Sequence, residues 1–85
     1  MLNALVFLNC DIGTEPAIVS EISDIAGVSE AVQVSGICDI VAKVSEESRE
    51  DMAKSVKKIC EIANIRSGLT MIVSEEHAVT HMEVA

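Results

Sequence analysis

Two predicted helices in this chain end on the same four-residue pattern, and this internal repeat limits the possible folds more than any other feature. Ile25-Ala26-Gly27-Val28 ends the first helix, and Ile62-Ala63-Asn64-Ile65 ends the second. Gly and Asn are the residues that most readily adopt the left-handed conformation with which helices commonly end. Each half of the chain therefore reads as strand, helix and strand, and the whole reads as βαββαβ.

Hydrophobic periodicity and capping signals place the elements of this plan. The apolar patterns predict strands over 2–10, 28–36, 38–44 and 65–73. Thr14 is a favoured N-cap for a helix that reaches about Ala26. Ser48 with Asp51 resembles a capping box for a second helix over 49–63. The predicted fold class is α+β: a ferredoxin-like βαββαβ sandwich in which both helices cover one face of a four-stranded antiparallel sheet.

The helix-free face of this sheet is expected to be half apolar. The apolar residues that we place there are Leu5, Phe7, Ala31, Val41 and Ile72. The chain is 49% hydrophobic over only 85 residues, which is more apolar surface than so small a core is expected to bury. We therefore predict a homodimer, or a larger oligomer, formed through this face. The alternative is a monomer with a solvated sheet face.

Charge and composition argue against several classes of partner. The formal net charge is −8, which disfavours contact with nucleic-acid phosphates and with anionic membranes. Phe7 is the single aromatic residue, so stacking platforms for unpaired bases are missing. The apolar segment 1–8 lacks a basic lead and reads as a first strand rather than a signal peptide, and no segment is long enough to span a bilayer.

The cysteines and histidines give weak signals for metal. Cys10, Cys38 and Cys60 are widely spaced and odd in number, which argues against a disulfide framework and favours a reducing cytoplasm. We expect Cys10 and Cys38 at opposite ends of the sheet, on the premise that the first and third strands are parallel. All three are read as buried apolar residues. His77 and His81 have helical i, i+4 spacing, but a mobile acidic tail over 75–85 is the preferred interpretation. We predict neither a metal nor a cofactor.

The turn Gly36-Ile37-Cys38-Asp39 is the sharpest local signal. Asp39 enters an apolar strand, where a carboxylate requires a partner. In a functional interpretation, the turn amides and this carboxylate bind a free amino acid at a subunit contact. In a structural interpretation, the turn is an ordinary hairpin whose Asp39 accepts hydrogen bonds from its own amides. Spacing alone favours the structural interpretation.

The order of these motifs resembles a known family. The run from Val34 to Val44, VSGICDIVAKV, is similar to the central signature of the Lrp/AsnC effector-binding domain, also called the RAM domain, in which a Gly-x-x-Asp turn opens the third strand. The helix exit at 25–28 and the last strand at 65–73 resemble further motifs of that domain. The resemblance covers residues 3 to 73 in order, and we assign 1–74 to this domain and 75–85 to the tail.

The resemblance implies dimers formed through sheet faces, rings of several dimers, and amino-acid effectors bound between dimers. Carried onto this sequence, it implies a ligand site at Gly36, Asp39 and Thr70. Their neighbours complete the predicted site, namely Ser35, Ile37, Cys38 and Gly68. The chain departs from the family at two of these positions: Cys38 stands where an aromatic residue is usual, and Gly68 where Thr is common. Both departures bear on ligand choice.

Full-length members of this family carry a helix-turn-helix domain before the effector-binding domain, and this sequence starts at the first strand. We therefore expect a stand-alone, non-enzymatic domain that senses an amino acid and modulates Lrp/AsnC-type transcription regulators. One alternative is a co-assembly module for a full-length regulator that binds no small molecule. Another is a small enzyme on a dimeric ferredoxin-like barrel, although residues suited to catalysis show no recognisable spacing.

Overall fold

The computed structural model describes residues 1–74 and 80–84. Its elements are β1 (Leu2–Cys10), α1 (Glu15–Ser23), β2 (Val28–Gln33), β3 (Ile40–Glu46), α2 (Arg49–Cys60), β4 (Ile65–Ser74) and β5 (Thr80–Val84). All neighbouring strands pair antiparallel in the order β2-β3-β1-β4-β5. The predicted α+β fold is confirmed, because the first four strands and the two helices have the ferredoxin-like arrangement.

A fifth strand extends this sheet at the β4 edge. β5 pairs with β4 from Leu69 opposite Val84 to Val73 opposite Thr80. Part of the segment predicted as a tail is therefore a strand, and it includes His81. The other member of the predicted histidine pair, His77, lies outside the described residues.

The hydrophobic core lies between the two helices and one face of the sheet. Strand β1 passes through the middle of the sheet and buries every second residue from Ala4 to Cys10. The remaining core side chains come from both helices and from β3, namely Ile18, Ile22, Ile40, Ala42, Val44, Met52 and Ile59. No helix in the described part of the chain is long and apolar enough to cross a bilayer.

The predicted helix exits are confirmed. Gly27 has φ +93° and Asn64 has φ +76°, and both lie in the left-handed region. The same hydrogen bond closes each exit, from the N–H of Val28 to the carbonyl of Ile25 (3.2 Å) and from Ile65 to Ile62 (3.3 Å). Regular helix ends about three residues earlier than predicted, at Ser23 and Cys60, because the last turns tighten before each exit.

The two predicted N-caps have different outcomes. The hydroxyl of Ser48 accepts a hydrogen bond from the N–H of Asp51 at 3.1 Å, so the cap of α2 is confirmed. Thr14 occupies the N-cap position of α1, but its side chain donates to the carbonyl of Asp11 and caps no helix N–H.

Two residues predicted on the helix-free face lie on the core face instead. Ala31 pairs with buried Ala42, and Ile72 pairs with buried Ala4; both pack against the core. The prediction for Ala31 was wrong because a register shift between Val28 and Glu30 reverses the alternation of β2. We define the open sheet face as Leu5, Phe7, Val41, Leu69, Met71 and Val73, which pair across one face of β3, β1 and β4.

The premise about Cys10 and Cys38 was also wrong. Strands β1 and β3 are antiparallel, and Leu8 pairs with Ile40. The end of β1 therefore meets the start of β3, so Cys10 and Cys38 lie at the same end of the sheet. All three cysteines are free thiols. Among the described residues, no cluster of three or more His, Cys, Asp or Glu side chains has the arrangement of a metal site.

Candidate functional site

The loop 34–39 connects β2 to β3 and is held at its base by backbone hydrogen bonds. The N–H of Val34 donates to the carbonyl of Asp39 at 2.8 Å, and the N–H of Asp39 donates to the carbonyl of Leu8 at 2.8 Å. Gly36 has φ +127°, a conformation that side chains disfavour, and a Cβ built there would meet no other atom. Strain at the backbone, rather than lack of space, therefore favours glycine at the tip of this loop.

The carboxylate of Asp39 has a partner in the scaffold. Its Oδ2 accepts a hydrogen bond from the backbone N–H of Cys10 at 2.9 Å, in a half-buried position. This N–H belongs to the last residue of β1. The Asp39 side chain therefore accepts a hydrogen bond from the backbone at the end of the central strand, rather than from the amides of its own turn. Oδ1 makes no hydrogen bond to the described residues, and Asp39 is not among the described residues that line the cavity beside the loop.

A concave surface of about 470 Å³ lies between the loop and the open sheet face. The residues that line it are Phe7, Asn9, Ile37, Cys38, Ser67, Gly68, Leu69 and Met71. We call it the loop cavity. Its volume falls within the range of small-molecule sites. Its polar wall is a pair, in which Asn9 Nδ2 donates to Ser67 Oγ at 3.2 Å.

The structure brings most of the predicted site residues together. Ile37, Cys38 and Gly68 line the loop cavity directly, and Ile37 is 99% exposed at its edge. Ser35 and Gly36 are exposed on the same loop, and Asp39 forms its base. These six positions thus form one locality, although their role in binding a ligand stays a prediction.

Thr70 does not belong to this locality. It pairs with Val6, whose side chain lies in the core, and it is itself only 1% exposed. Because successive residues of a strand point to opposite faces, Leu69 and Met71 face the loop cavity while Thr70 faces α2. Thr70 therefore lies on the face of the sheet opposite the loop cavity.

Sequence reasoning missed five lining residues of the loop cavity, namely Phe7, Asn9, Ser67, Leu69 and Met71. A signal for them existed, because the alternation of β1 places Phe7 and Asn9 on the face opposite the core. What was not accessible was the pairing of Phe7 with Leu69 and of Asn9 with Ser67, which brings β4 to the same cavity.

The described residues that line the loop cavity include no Asp, Glu, Lys, Arg or His. A free amino acid carries an ammonium and a carboxylate, and each requires polar partners when it leaves water. The described lining therefore offers mainly apolar contacts and, in Asn9 and Ser67, two neutral polar side chains.

Neither a protein-family model nor a curated protein matches the sequence, but several solved structures share its fold. A hypothetical protein, PHS023, from Pyrococcus horikoshii is 27% identical with a TM-score of 0.83, and the match covers 95% of this chain and 99% of that one. FFRP-DM1 is 25% identical with a TM-score of 0.82, over 87% of this chain and 100% of that one. Both structures thus have about the length of this domain.

A longer protein contains the same fold as one of its parts. AsnC from Escherichia coli is 20% identical with a TM-score of 0.78, and the match covers 94% of this chain but 54% of AsnC. The match therefore concerns one part of AsnC and nearly the whole of the present chain. The resemblance drawn from the Gly-x-x-Asp turn and the helix exits is confirmed: this chain has the fold of the effector-binding domain of the Lrp/AsnC family.

Proposed function

We propose that this chain is a regulatory domain that senses a free amino acid, which binds in the loop cavity at a contact between subunits. The observation that carries the proposal is the position of this cavity. Phe7, Leu69 and Met71 belong both to its lining and to the open sheet face. A second subunit that covers the open sheet face would therefore also close over the ligand.

The open sheet face supports assembly as a homodimer. Its apolar side chains are half exposed in the single chain, and they form a contiguous patch across three strands. Pairing such patches removes apolar area from water, which is the main source of affinity between subunits. Contacts between dimers would then assemble higher oligomers, and full-length regulators of this family would use the same face to bind this chain.

The free carboxylate oxygen of Asp39 supports recognition of an ammonium group. Oδ2 is held by the N–H of Cys10, which restricts the orientation of the carboxylate, and Oδ1 makes no hydrogen bond to the described residues. A pre-oriented anion needs little further ordering when a cation binds. Cys38, in place of an aromatic residue, leaves more room in the cavity wall, and this favours an amino acid with a bulky apolar side chain.

Thermal unfolding in the presence of each standard amino acid tests the proposal. At least one amino acid, and most readily an apolar one, should raise the Tm of the wild-type protein. Asp39→Asn should remove the increase, because the amide can still accept the hydrogen bond from Cys10 but carries no charge. Asp24→Asn is the matched control, since Asp24 is exposed at the end of α1. If no amino acid raises the Tm, ligand sensing at this site is ruled out.

The uncharged lining of the loop cavity also favours a second candidate, a co-assembly module that binds no small molecule. In that case the loop cavity receives an apolar side chain of a partner regulator. Mixing this protein with a full-length AsnC-type regulator, followed by native mass spectrometry, separates the two functions. Mixed complexes without any effect of amino acids would support the co-assembly module.

The three free thiols agree with action in the reducing cytoplasm, where such regulators operate. The enzymatic alternative has less support, because the fold is shared with a member of a family of regulators. An assay of the purified protein for amino-acid turnover would overturn the regulatory proposal if it showed product formation that Asp39→Asn abolished.

A further inference from the structure

A second cavity lies on the helix-covered side of the sheet, between α2 and β4. Its volume is about 330 Å³, near the lower end of the range of ligand sites. One side is formed by α2 and its C-cap residue Glu61, and the other by Thr70 and Ile72. We call it the helix cavity. The sheet separates it from the loop cavity, so the two are independent sites.

The inner wall of the helix cavity is apolar. Met52 is buried at its base, and Val56 and Ile72 are half-buried along its sides. Burial raises the pKa of the Cys60 thiol, which also lines the wall, so this thiol stays neutral at physiological pH. Among the described residues, a charged group deep inside this cavity would lose its hydration without a compensating partner.

The hydroxyl of Thr70 is the exception in this wall. The residue is 1% exposed, and its Oγ1 has no hydrogen-bond partner among the described residues. A buried polar atom left unpaired costs about 1–3 kcal/mol, so most such atoms in proteins have partners. A hydroxyl both donates and accepts, and it can therefore pair with a carbonyl or with a hydroxyl of a ligand.

The rim of the helix cavity does not select for charge. Arg49 and Lys57 are exposed there, and so is Glu61, so both signs are present. An aliphatic carboxylate bound at Arg49 would place its apolar tail beside Thr70 and leave the hydroxyl unpaired. A neutral molecule that carries its polar group inward satisfies both the apolar wall and the hydroxyl.

We infer that the helix cavity binds a compact, mostly apolar, neutral molecule whose single hydroxyl or carbonyl group hydrogen-bonds Thr70 Oγ1. This inference does not rest on the amino-acid site, because the two cavities lie on opposite faces of the sheet and none of the described residues lines both. Met52 and Val56 would contact the apolar body of the ligand, and Thr70 would orient it.

Phenol and toluene form a matched pair of probes, since they differ in the hydroxyl. Each is titrated into the isotope-labelled full chain and followed by nuclear magnetic resonance. Phenol should shift the resonances of Thr70, Ile72 and Val56, and leave those of Ile37 and Cys38 unchanged. Toluene should bind up to about tenfold more weakly, which is the effect of one neutral hydrogen bond. Shifts confined to Ile37 and Cys38, or none, would overturn the inference.

Thr70→Val keeps the shape of the side chain and removes the hydroxyl. In this variant the affinity for phenol should fall to that for toluene, and the Tm of the ligand-free protein should be unchanged or higher. A lower Tm would show that the hydroxyl is already paired in the free protein, and this would contradict the inference.

Blocking the entrance provides a second, independent variant. Ala53 is exposed and lines the cavity, so Ala53→Leu should abolish binding of both probes without disturbing the core. Ala17→Leu, at an exposed position of α1, is the control and should bind as the wild type does. Equal binding by the Ala53→Leu variant would place the probes elsewhere and refute the assignment.

Discussion

Replacing Asp39 by alanine should destabilise the fold even when no amino acid is present. The carboxylate accepts a hydrogen bond from the N–H of Cys10 at 2.9 Å, at the end of the central strand. Alanine leaves that N–H without an acceptor, in a position that the loop 34–39 partly shields from water. The loss therefore includes both the hydrogen bond and the desolvation of an unpaired donor.

The size of the effect follows from the character of this bond. A hydrogen bond to a charged group contributes about 1.5–3 kcal/mol, and partial exposure of this site places the expected loss near 2 kcal/mol. For a domain of this size, each kcal/mol changes the Tm by about 4–8 °C, so the Tm should fall by about 8–16 °C. Asp39→Asn keeps an acceptor oxygen, and this variant should lose less than about 1 kcal/mol of the free energy of unfolding.

Urea unfolding at one fixed protein concentration measures this difference, since the proposed assembly would make stability depend on concentration. The slope of the free energy of unfolding against urea should be unchanged, which shows that the same surface unfolds. Asp24→Ala is the control and should change the free energy of unfolding by less than about 0.5 kcal/mol. If Asp39→Ala matches that control, the bond to Cys10 contributes nothing and our account of the loop is refuted.

Three further predictions concern other parts of the molecule. Gly27→Ala should lower the free energy of unfolding by at least about 2 kcal/mol, because alanine is strained at φ +93° and its Cβ would collide with the Glu46 carboxylate. In the same urea assay, Gly36→Ala should lower the free energy of unfolding by clearly less, because its Cβ would meet no other atom. Phe7→Asp should shift the proposed homodimer towards monomer in light scattering, because it places a charge in the open sheet face; an unchanged mass would exclude that face as the interface. Burial raises the pKa of Cys60, so the fold should lose stability as pH rises above the ordinary thiol range, and Cys60→Ala should reduce that loss in pH-dependent unfolding.

The elements that were predicted correctly are those whose signals are local. The alternation of β1, the cap at Ser48 and the left-handed residues Gly27 and Asn64 each depend on a few neighbouring residues. The repeat of the two helix exits then sufficed for the βαββαβ order, because few compact folds accept it.

The elements that were predicted wrongly depend on contacts between distant segments. The register shift after Val28 is visible only when β2 pairs with β3, and it moves Ala31 to the core face. The family resemblance grouped Thr70 with the loop residues, whereas its pairing with Val6 places it on the core face towards α2; its role in binding a ligand stays a prediction. Strand β5 carries no strong period of its own, and its pairing with β4 defines it.

Asp39 shows why a motif alone cannot establish that a domain of this kind senses a ligand. Its carboxylate closes the end of β1 through Cys10, so selection for a stable sheet would retain the Gly-x-x-Asp turn even in a chain that binds nothing. Ligand choice is expected to depend instead on residues that the fold does not require. Ile37 is fully exposed and Cys38 lines the loop cavity, and neither contributes to the described core. Substitutions at these two positions should therefore change ligand choice with little change in stability, whereas substitutions at Asp39 change both.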